Sequence, residues 1–324
     1  MILLGKVILL AGGGGHTGYA YALAHFLAGK CEMEIFVPEG DKLSHNRLKR
    51  FGDVHTLSKP RGPKTPLAPF LSGLAKSFLR SSLTFNKKSV VVSTGSNFCL
   101  APCIVAKMNG VPTVNLESSV RFTSASKTAK ILAKTATLTA LQWEEQMKLL
   151  PKGEVFGPML AKPELEPYDG GYILVTGGTY GHKLLFQAFD STNIEKVLLQ
   201  AGELYSTEFA KRHPSWKVID YSDLFHELIA GADVVVTHFG ETIIDSALVY
   251  GKPTVISVNP DWTRTAGLED ATILSDKVNG TLMQDFTSDG VIETIERAKK
   301  NRPPQIPSGA EPLSRRILEM AEST

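Results

Sequence analysis

Two glycine-rich turns, half a chain apart, constrain this sequence more than any other feature. The first follows the apolar run Val7-Ile8-Leu9-Leu10-Ala11 and reads Gly12-Gly13-Gly14-Gly15-His16-Thr17-Gly18. The second follows Tyr172-Ile173-Leu174-Val175-Thr176 and reads Gly177-Gly178-Thr179-Tyr180-Gly181-His182. In each, a strand pattern leads into the glycines and a helical pattern leads out. A strand, a tight turn and a helix start gather unpaired backbone N–H groups and the positive end of a helix dipole at one point, which suits an anion such as a diphosphate. One such turn in each half predicts two α/β domains, each with its own phosphate cradle.

The rest of the chain agrees. Strand-like runs alternate with helical ones, at residues 6–11, 31–37, 89–93, 112–116 and 136–140 in the first half. In the second half they fall at 172–176, 196–200, 217–221, 234–237 and 254–258. Val90-Val91-Val92 and Val234-Val235-Val236 are apolar at consecutive positions, as parallel strands covered on both faces are. The expected fold class is therefore α/β, with two Rossmann-like, doubly wound parallel sheets facing a cleft. At 324 residues the chain has room for two domains. The expected division is 1–157, a linker at 158–171 holding Pro158, Pro163 and Pro167, and 172–324.

Net charge is only +2, yet residues 42–134 hold 16 Lys or Arg against Asp53 and Glu117 alone. The first domain is thus cationic and the remainder acidic, which predicts an anionic partner for the first domain; nucleic acid and an anionic membrane are the candidates. Within this region, residues 64–88 place Leu67, Phe70, Leu71, Leu74, Phe78 and Leu79 at helical spacing, with Lys76, Arg80, Lys87 and Lys88 among or after them. That pattern suits a helix lying at a lipid headgroup surface, and equally an ordinary core-facing helix. No apolar run reaches the roughly 18 residues a membrane span needs, and no signal peptide is read at the start. Cys31, Cys99 and Cys103 form no C-x-x-C pair, which fits a reducing compartment and argues against structural zinc or a disulfide frame.

The first turn also satisfies G-x-G-x-x-G at Gly13, Gly15 and Gly18, with Glu39 some way downstream, so an NAD-dependent oxidoreductase is a rival reading. That rival gives the second turn no role and finds no Tyr-x-x-x-Lys pair. His16 sits inside the first turn, and an imidazole there is placed to act as a general base near neutral pH. Capping of the following helix is its plainer role. Downstream, Thr237-His238-Phe239-Gly240-Glu241-Thr242 follows a buried strand and opens a helix carrying Asp245. Helix-start amides there would take phosphate, and the carboxylate would hold vicinal ribose hydroxyls. Glu241 and Asp245 are also the acids that a helix dipole favours. Gln200 belongs on the same rim. No Asp-x-Asp occurs, so backbone amides, not a metal ion, are expected to neutralise a leaving diphosphate.

In these residues and their order, the chain resembles membrane-associated glycosyltransferases of the GT-B class, bacterial MurG in outline. The closer likeness is to the eukaryotic two-subunit transferase that adds the second N-acetylglucosamine to dolichol-diphosphate-linked N-acetylglucosamine, here with both subunits in one chain. That joining points to an archaeal source. The first half resembles the acceptor-binding, membrane-recruiting subunit through Gly12–Gly18 with His16, Thr94-Gly95-Ser96 and Glu117-Ser118-Ser119-Val120-Arg121. The second half is similar to the donor-binding subunit through Thr176-Gly177-Gly178-Thr179, Gln200-Ala201-Gly202 and Thr237-His238-x-Gly240 with Asp245.

The resemblance implies inverting transfer of N-acetylglucosamine from a UDP donor to a polyprenyl- or dolichyl-diphosphate-linked sugar. It implies no cofactor, no metal and no nucleic-acid partner, and a peripheral place on the cytoplasmic face of an anionic membrane. His16 is the implied base, with Glu117 the second candidate or the group that orients it. The acceptor would meet Gly13, Gly14, Gly15, Thr17, Gly18, Thr94, Gly95, Ser96 and Arg121. The donor would meet Gly177, Gly178, Thr179, Tyr180, Gln200, Ser222, Thr237, His238, Gly240, Glu241, Thr242, Asp245, Asn259 and Asp261. Three features depart from the family. The amino-terminal transmembrane helix is missing, the Gly240–Asp245 stretch is one residue short, and Asn259-Pro260-Asp261-Trp262 replaces the usual sugar-contacting residues. A sugar-nucleotide epimerase on the same scaffold and a non-catalytic recruiting protein are the remaining alternatives.

Overall fold

The computed structural model describes residues 5–58, 73, 76–80, 89–261 and 266–324. The chain divides into two units, Met1–Ala161 with Pro307–Thr324, and Lys162–Ile306.

In the first unit, β1 (Lys6–Leu10), β2 (Glu32–Pro38), β3 (Asp53–Leu57), β4 (Ser89–Ser93), β5 (Thr113–Leu116), β6 (Leu138–Leu141) and β7 (Glu154–Val155) form one sheet. Its order is β3-β2-β1-β4-β5-β6-β7, and every pairing is parallel. Both faces are covered, so the strands are apolar at consecutive positions. Val7 and Leu9 pack in one core with the helix Gly15–Leu27, while Ile8 and Leu10 pack in a second core with the helix Leu100–Met108.

In the second unit, β8 (Tyr172–Thr176), β9 (Val197–Gln200), β10 (Lys217–Ile219), β11 (Ala232–His238), β12 (Thr254–Ser257) and β13 (Thr281–Met283) form a parallel sheet in the order β10-β9-β8-β11-β12-β13. Ile173 and Val175 face one core and Leu174 the other, by the same alternation. The doubly wound architecture expected from the sequence is present in both units.

Three strands escape the sequence pattern: β3, β7 and β13. Two are three residues or fewer, and β3, at a sheet edge, mixes Asp53, His55 and Thr56 with its apolar residues. Edge strands bury less and so carry a weaker apolar signature.

The carboxy-terminal helix Ala310–Glu322 also departs from the expected 172–324 domain. It packs against the helix Gly15–Leu27 and against β1 and β4 of the first unit. Leu313, Ile317, Leu318 and Ala321, one helical stripe, join the core of Val7, Leu9 and Leu23. Leu313 and Ile317 are fully buried, each worth roughly 1.5–3 kcal/mol. Gly309 N–H donates to the Pro158 carbonyl at 2.8 Å and Ser308 Oγ to the Leu160 carbonyl at 2.6 Å, where the chain re-enters the first unit.

Of the stretch 64–88, only Gly73 and residues 76–80 fall among the described residues; Leu67, Phe70, Leu71, Leu74, Lys87 and Lys88 lie outside them, as does Trp262. Phe78 packs against the core that holds Ile8 and Leu10, and Leu79 is exposed. Among the described residues, no helix is long and apolar enough to cross a membrane.

Candidate functional site

Each sheet reverses its strand order beside its first strand, and the glycine turns lie at those two points. In the first unit β1 has β2 on one side and β4 on the other, so the loops after β1 and β4 run side by side, where ligands of doubly wound folds bind. Thr94 Oγ1 donates to the Leu10 carbonyl at 2.8 Å and accepts Gly12 N–H at 3.3 Å. Ser96 Oγ donates to the Gly12 carbonyl at 3.3 Å. A Cβ on Gly12 would sit 2.5 Å from Ser96 Oγ, so only glycine allows the two loops this approach. Gly13 and Gly14 take φ of 80° and 59°, values that favour glycine, with Gly13 buried and Gly14 exposed. Gly14 caps the 13-residue helix with no side-chain hydrogen bond.

His16 Nδ1 lies 2.7 Å from the Thr94 carbonyl, and the ring edge meets Tyr19 with centroids 5.9 Å apart. A carbonyl only accepts, so Nδ1 carries the proton and the basic lone pair of the neutral ring is on Nε2. Thr17 and Gly18, expected among the acceptor contacts, are buried beneath the turn; Thr17 Oγ1 pairs with Ser44 Oγ at 2.6 Å.

Glu117 is 1% exposed, and its two oxygens accept Ser118 N–H at 2.7 Å and Ser126 N–H at 2.8 Å. Burial pushes its carboxyl up from the usual range, and the amides of Ser118 and Ser126 oppose that. Its geometry is that of an anchor for the 117–126 loop. Three side chains absent from the sequence expectations complete the clamp. Gln142 Nε2 donates to the Glu117 carbonyl, Trp143 Nε1 to the Ser119 carbonyl, and Gln146 Nε2 to the carbonyls of Ser118 and Arg121, at 2.7–3.0 Å. Tyr19 OH accepts Ser119 N–H at 2.9 Å from the other side. The one sequence signal for this was a polar residue, Gln142, directly after an apolar strand.

In the second unit β8 lies between β9 and β11. Gly178 and Gly181 take φ of 69° and 74°. A Cβ on Gly178 would sit 2.5 Å from His238 Cε1, and one on Gly240 would sit 2.8 Å from His238 Nε2. The His238 ring therefore fills the space between the two turns. Thr179 is tied to the neighbouring rim: its carbonyl accepts Tyr221 OH at 2.8 Å and Glu203 N–H at 3.0 Å. Gln200 Nε2 reaches Thr176 Oγ1 at 3.4 Å, and Ser222 Oγ accepts Leu224 N–H at 3.1 Å. Thr179 and Tyr180 are exposed at the turn.

His182 ends the second turn and is fully buried. Its Nδ1 accepts Leu185 N–H at 3.4 Å, capping the helix Lys183–Asp190, and its Nε2 lies 2.9 Å from Ser257 Oγ at the end of β12. Burial drives its pKa down to about 4, with the Val258 backbone and Asp261 opposing. Burial and the neighbouring His182 take His238 to about 4 as well. With pKa values this low, both imidazoles are neutral at pH 7.

The helix expected to carry Asp245 is a three-residue turn, Thr242–Ile244, running into a π-helical turn Asp245–Val249, closed by Tyr250 N–H on the Asp245 carbonyl at 3.0 Å. This π turn follows directly the Gly240–Asp245 stretch that the sequence reading finds one residue shorter than the pattern of the resembled family. Glu241 and Asp245 are each 8% exposed. Thr237 is buried and Thr242 partly so. Asn259 Oδ1 accepts Asp261 N–H at 3.0 Å, shaping the loop after β12. Among the described residues, no group of three or more His, Cys, Asp or Glu is arranged to hold a metal ion.

Residues 172–322 match the glycosyltransferase family 28 C-terminal domain. Over 355 aligned positions, covering 98% of this chain and 93% of the relative, the sequence is 24% identical to a Flavobacterium psychrophilum protein, UDP-N-acetylglucosamine–N-acetylmuramyl-(pentapeptide) pyrophosphoryl-undecaprenol N-acetylglucosamine transferase. In structure the chain is similar to Acinetobacter baumannii MurG, with a TM-score of 0.61 at 16% identity over 98% of this chain and 99% of the other. It is also similar to Neisseria meningitidis UDP-GlcNAc 2-epimerase, with a TM-score of 0.68 at 11% identity over 98% and 100%. With its two parallel Rossmann-like sheets, its carboxy-terminal domain match and these near full-length relatives, the chain is similar to GT-B glycosyltransferases of the MurG type.

Proposed function

We propose that the chain moves N-acetylglucosamine from UDP-N-acetylglucosamine to a sugar carried on a lipid diphosphate, with inversion and without a metal ion. The observation that carries this reading is a pair of glycine turns at the two sheet switch points, with His16 fixed in the first by the Thr94 carbonyl. The name of the Flavobacterium relative supports both the donor and a lipid-diphosphate acceptor.

In this reading the acceptor diphosphate rests on the amides of Gly13, Gly14 and Gly15, with Arg121 on the clamped loop supplying charge. Gly95 and Ser96 shape that turn. The acceptor hydroxyl loses its proton to His16 Nε2 while its oxygen bonds to the anomeric carbon. The bond from that carbon to the donor diphosphate breaks, and UDP leaves with the electron pair. Amides of Gly177, Gly178 and Thr179 face the departing diphosphate, where fixed dipoles stabilise developing charge without reorganising. Asp245 takes the ribose, Gln200 and Ser222 the uracil side, and Asn259 and Asp261 the sugar. Glu117 serves the acceptor loop as its anchor and leaves the proton transfer to His16.

The proposed place of action is the cytoplasmic membrane face. The helices Leu100–Met108 and Lys127–Leu132 pack against each other. They and the residues just after them expose Met108 and Ile131 among Lys107, Lys127, Lys130 and Lys134. Apolar tips inside a lysine cluster suit anionic headgroups. Resemblance to the eukaryotic two-subunit enzyme favours a dolichyl-type lipid and N-glycan precursor assembly; the Flavobacterium relative's name favours an undecaprenyl one.

Incubation with labelled UDP-N-acetylglucosamine and synthetic dolichyl- or undecaprenyl-diphosphate sugars tests this. Label moving to lipid is expected, and the preferred lipid decides the pathway. Label confined to an epimerised nucleotide sugar would turn the reading to the epimerase, whose likeness to this chain is one of fold alone.

A further inference from the structure

His182 links two segments that the donor reading uses for different parts of the same ligand. Its backbone follows Gly181 directly and so belongs to the diphosphate turn. Its ring reaches across to Ser257, at 2.9 Å, where β12 ends and the loop through Asn259 and Asp261 begins. β8 and β12 are not neighbours; β11 lies between them. The contact thus spans a strand, and both partners are fully buried. Because Nδ1 accepts Leu185 N–H, the ring proton is on Nε2, which faces Ser257 Oγ and the Val258 backbone, both in the same segment. His238, at the end of the intervening β11, packs against Gly178.

We propose that His182 is a positioning residue that holds the sugar-side loop 257–261 in register with the diphosphate turn, so that the His182–Ser257 contact sets how far the sugar adds to nucleotide affinity. This rests on the donor reading of the second unit. A plain helix cap would make no such distinction between ligands.

Two substitutions separate the roles. His182→Asn keeps a strong capping residue for Leu185 N–H but is too short to reach Ser257. Ser257→Ala removes the partner and leaves the cap untouched. Binding of UDP and of UDP-N-acetylglucosamine to the full chain is measured by calorimetry, alongside the thermal midpoint. Both variants should keep UDP affinity within about twofold while sugar-nucleotide affinity drops on the order of tenfold, the scale of one buried hydrogen bond. The double variant should lose no more than His182→Asn alone, since both act on the same ring contact. An unchanged ratio of the two affinities, or equal losses for both ligands, overturns the proposal. If His182→Asn does not fold, Ser257→Ala decides by the same ratio. A wild-type chain that binds neither nucleotide would instead remove the donor reading itself, and this inference with it.

Discussion

His16 Nδ1 stands 2.7 Å from the main-chain oxygen of Thr94, a residue 78 positions away in the chain. The contact joins the turn after β1 to the turn after β4, and it decides which ring nitrogen is basic. Close packing enforces it, because a Cβ on Gly95 would lie 2.9 Å from the imidazole.

His16→Ala should lower turnover by roughly 10²–10⁴-fold, the range of a lost general base. UDP affinity should stay near wild type, because the donor residues belong to the other unit. Single-turnover assays and calorimetry together check this; wild-type turnover would remove His16 from the chemistry.

Gly178→Ala should weaken nucleotide binding and lower stability by about 1–3 kcal/mol. Alanine pays for a φ of 69° and its methyl meets His238 at 2.5 Å. Thr179→Ala, on the exposed side of the same turn, should leave the urea midpoint within error and serves as the control.

Asp245→Ala should weaken UDP binding and leave binding of inorganic diphosphate unchanged, since the carboxylate is assigned to the ribose. Competition calorimetry distinguishes the two; equal loss of both ligands would make Asp245 a structural acid.

Acid should destabilise the second unit through His182. Its folded-state pKa, about 4, lies below the ordinary value of 6.5, so between those values the unfolded chain binds the extra proton. The stabilisation is complete above pH 6.5 and is lost as pH falls towards 4. From pH 7 to pH 5 the loss should be roughly 2 kcal/mol from this group. Urea midpoints at the two pH values report it, and the difference should shrink in His182→Asn.

Replacing Lys107, Lys127, Lys130 and Lys134 with Gln should reduce binding to vesicles containing phosphatidylserine, by about 1 kcal/mol per lysine that reaches the surface. Cosedimentation measures it. Unaltered partitioning would mean that these helices face water.

Much of the fold was legible in the sequence because it rests on short-range patterns. Apolar runs such as Val90-Val91-Val92 announce a strand covered on both faces, and a glycine cluster between strand and helix announces a phosphate-type turn. Those local signals were enough to find both sheets and both turns. Charge counts likewise exposed the cationic character of the first half. What the tertiary structure alone decided involves partners distant in the chain. Ala310–Glu322 carries a helical stripe that any core would accept, and only packing assigns it to Val7 and Leu9 of the first unit. Glu117 reads as a candidate base by residue type, and only the tertiary structure shows its carboxylate buried against the amides of Ser118 and Ser126. His182 and Ser257 are 75 residues apart, and nothing in either neighbourhood predicts that they meet. Periodicity encodes which face of an element is apolar, whereas a hydrogen bond between distant loops depends on where the whole sheet places its strand ends.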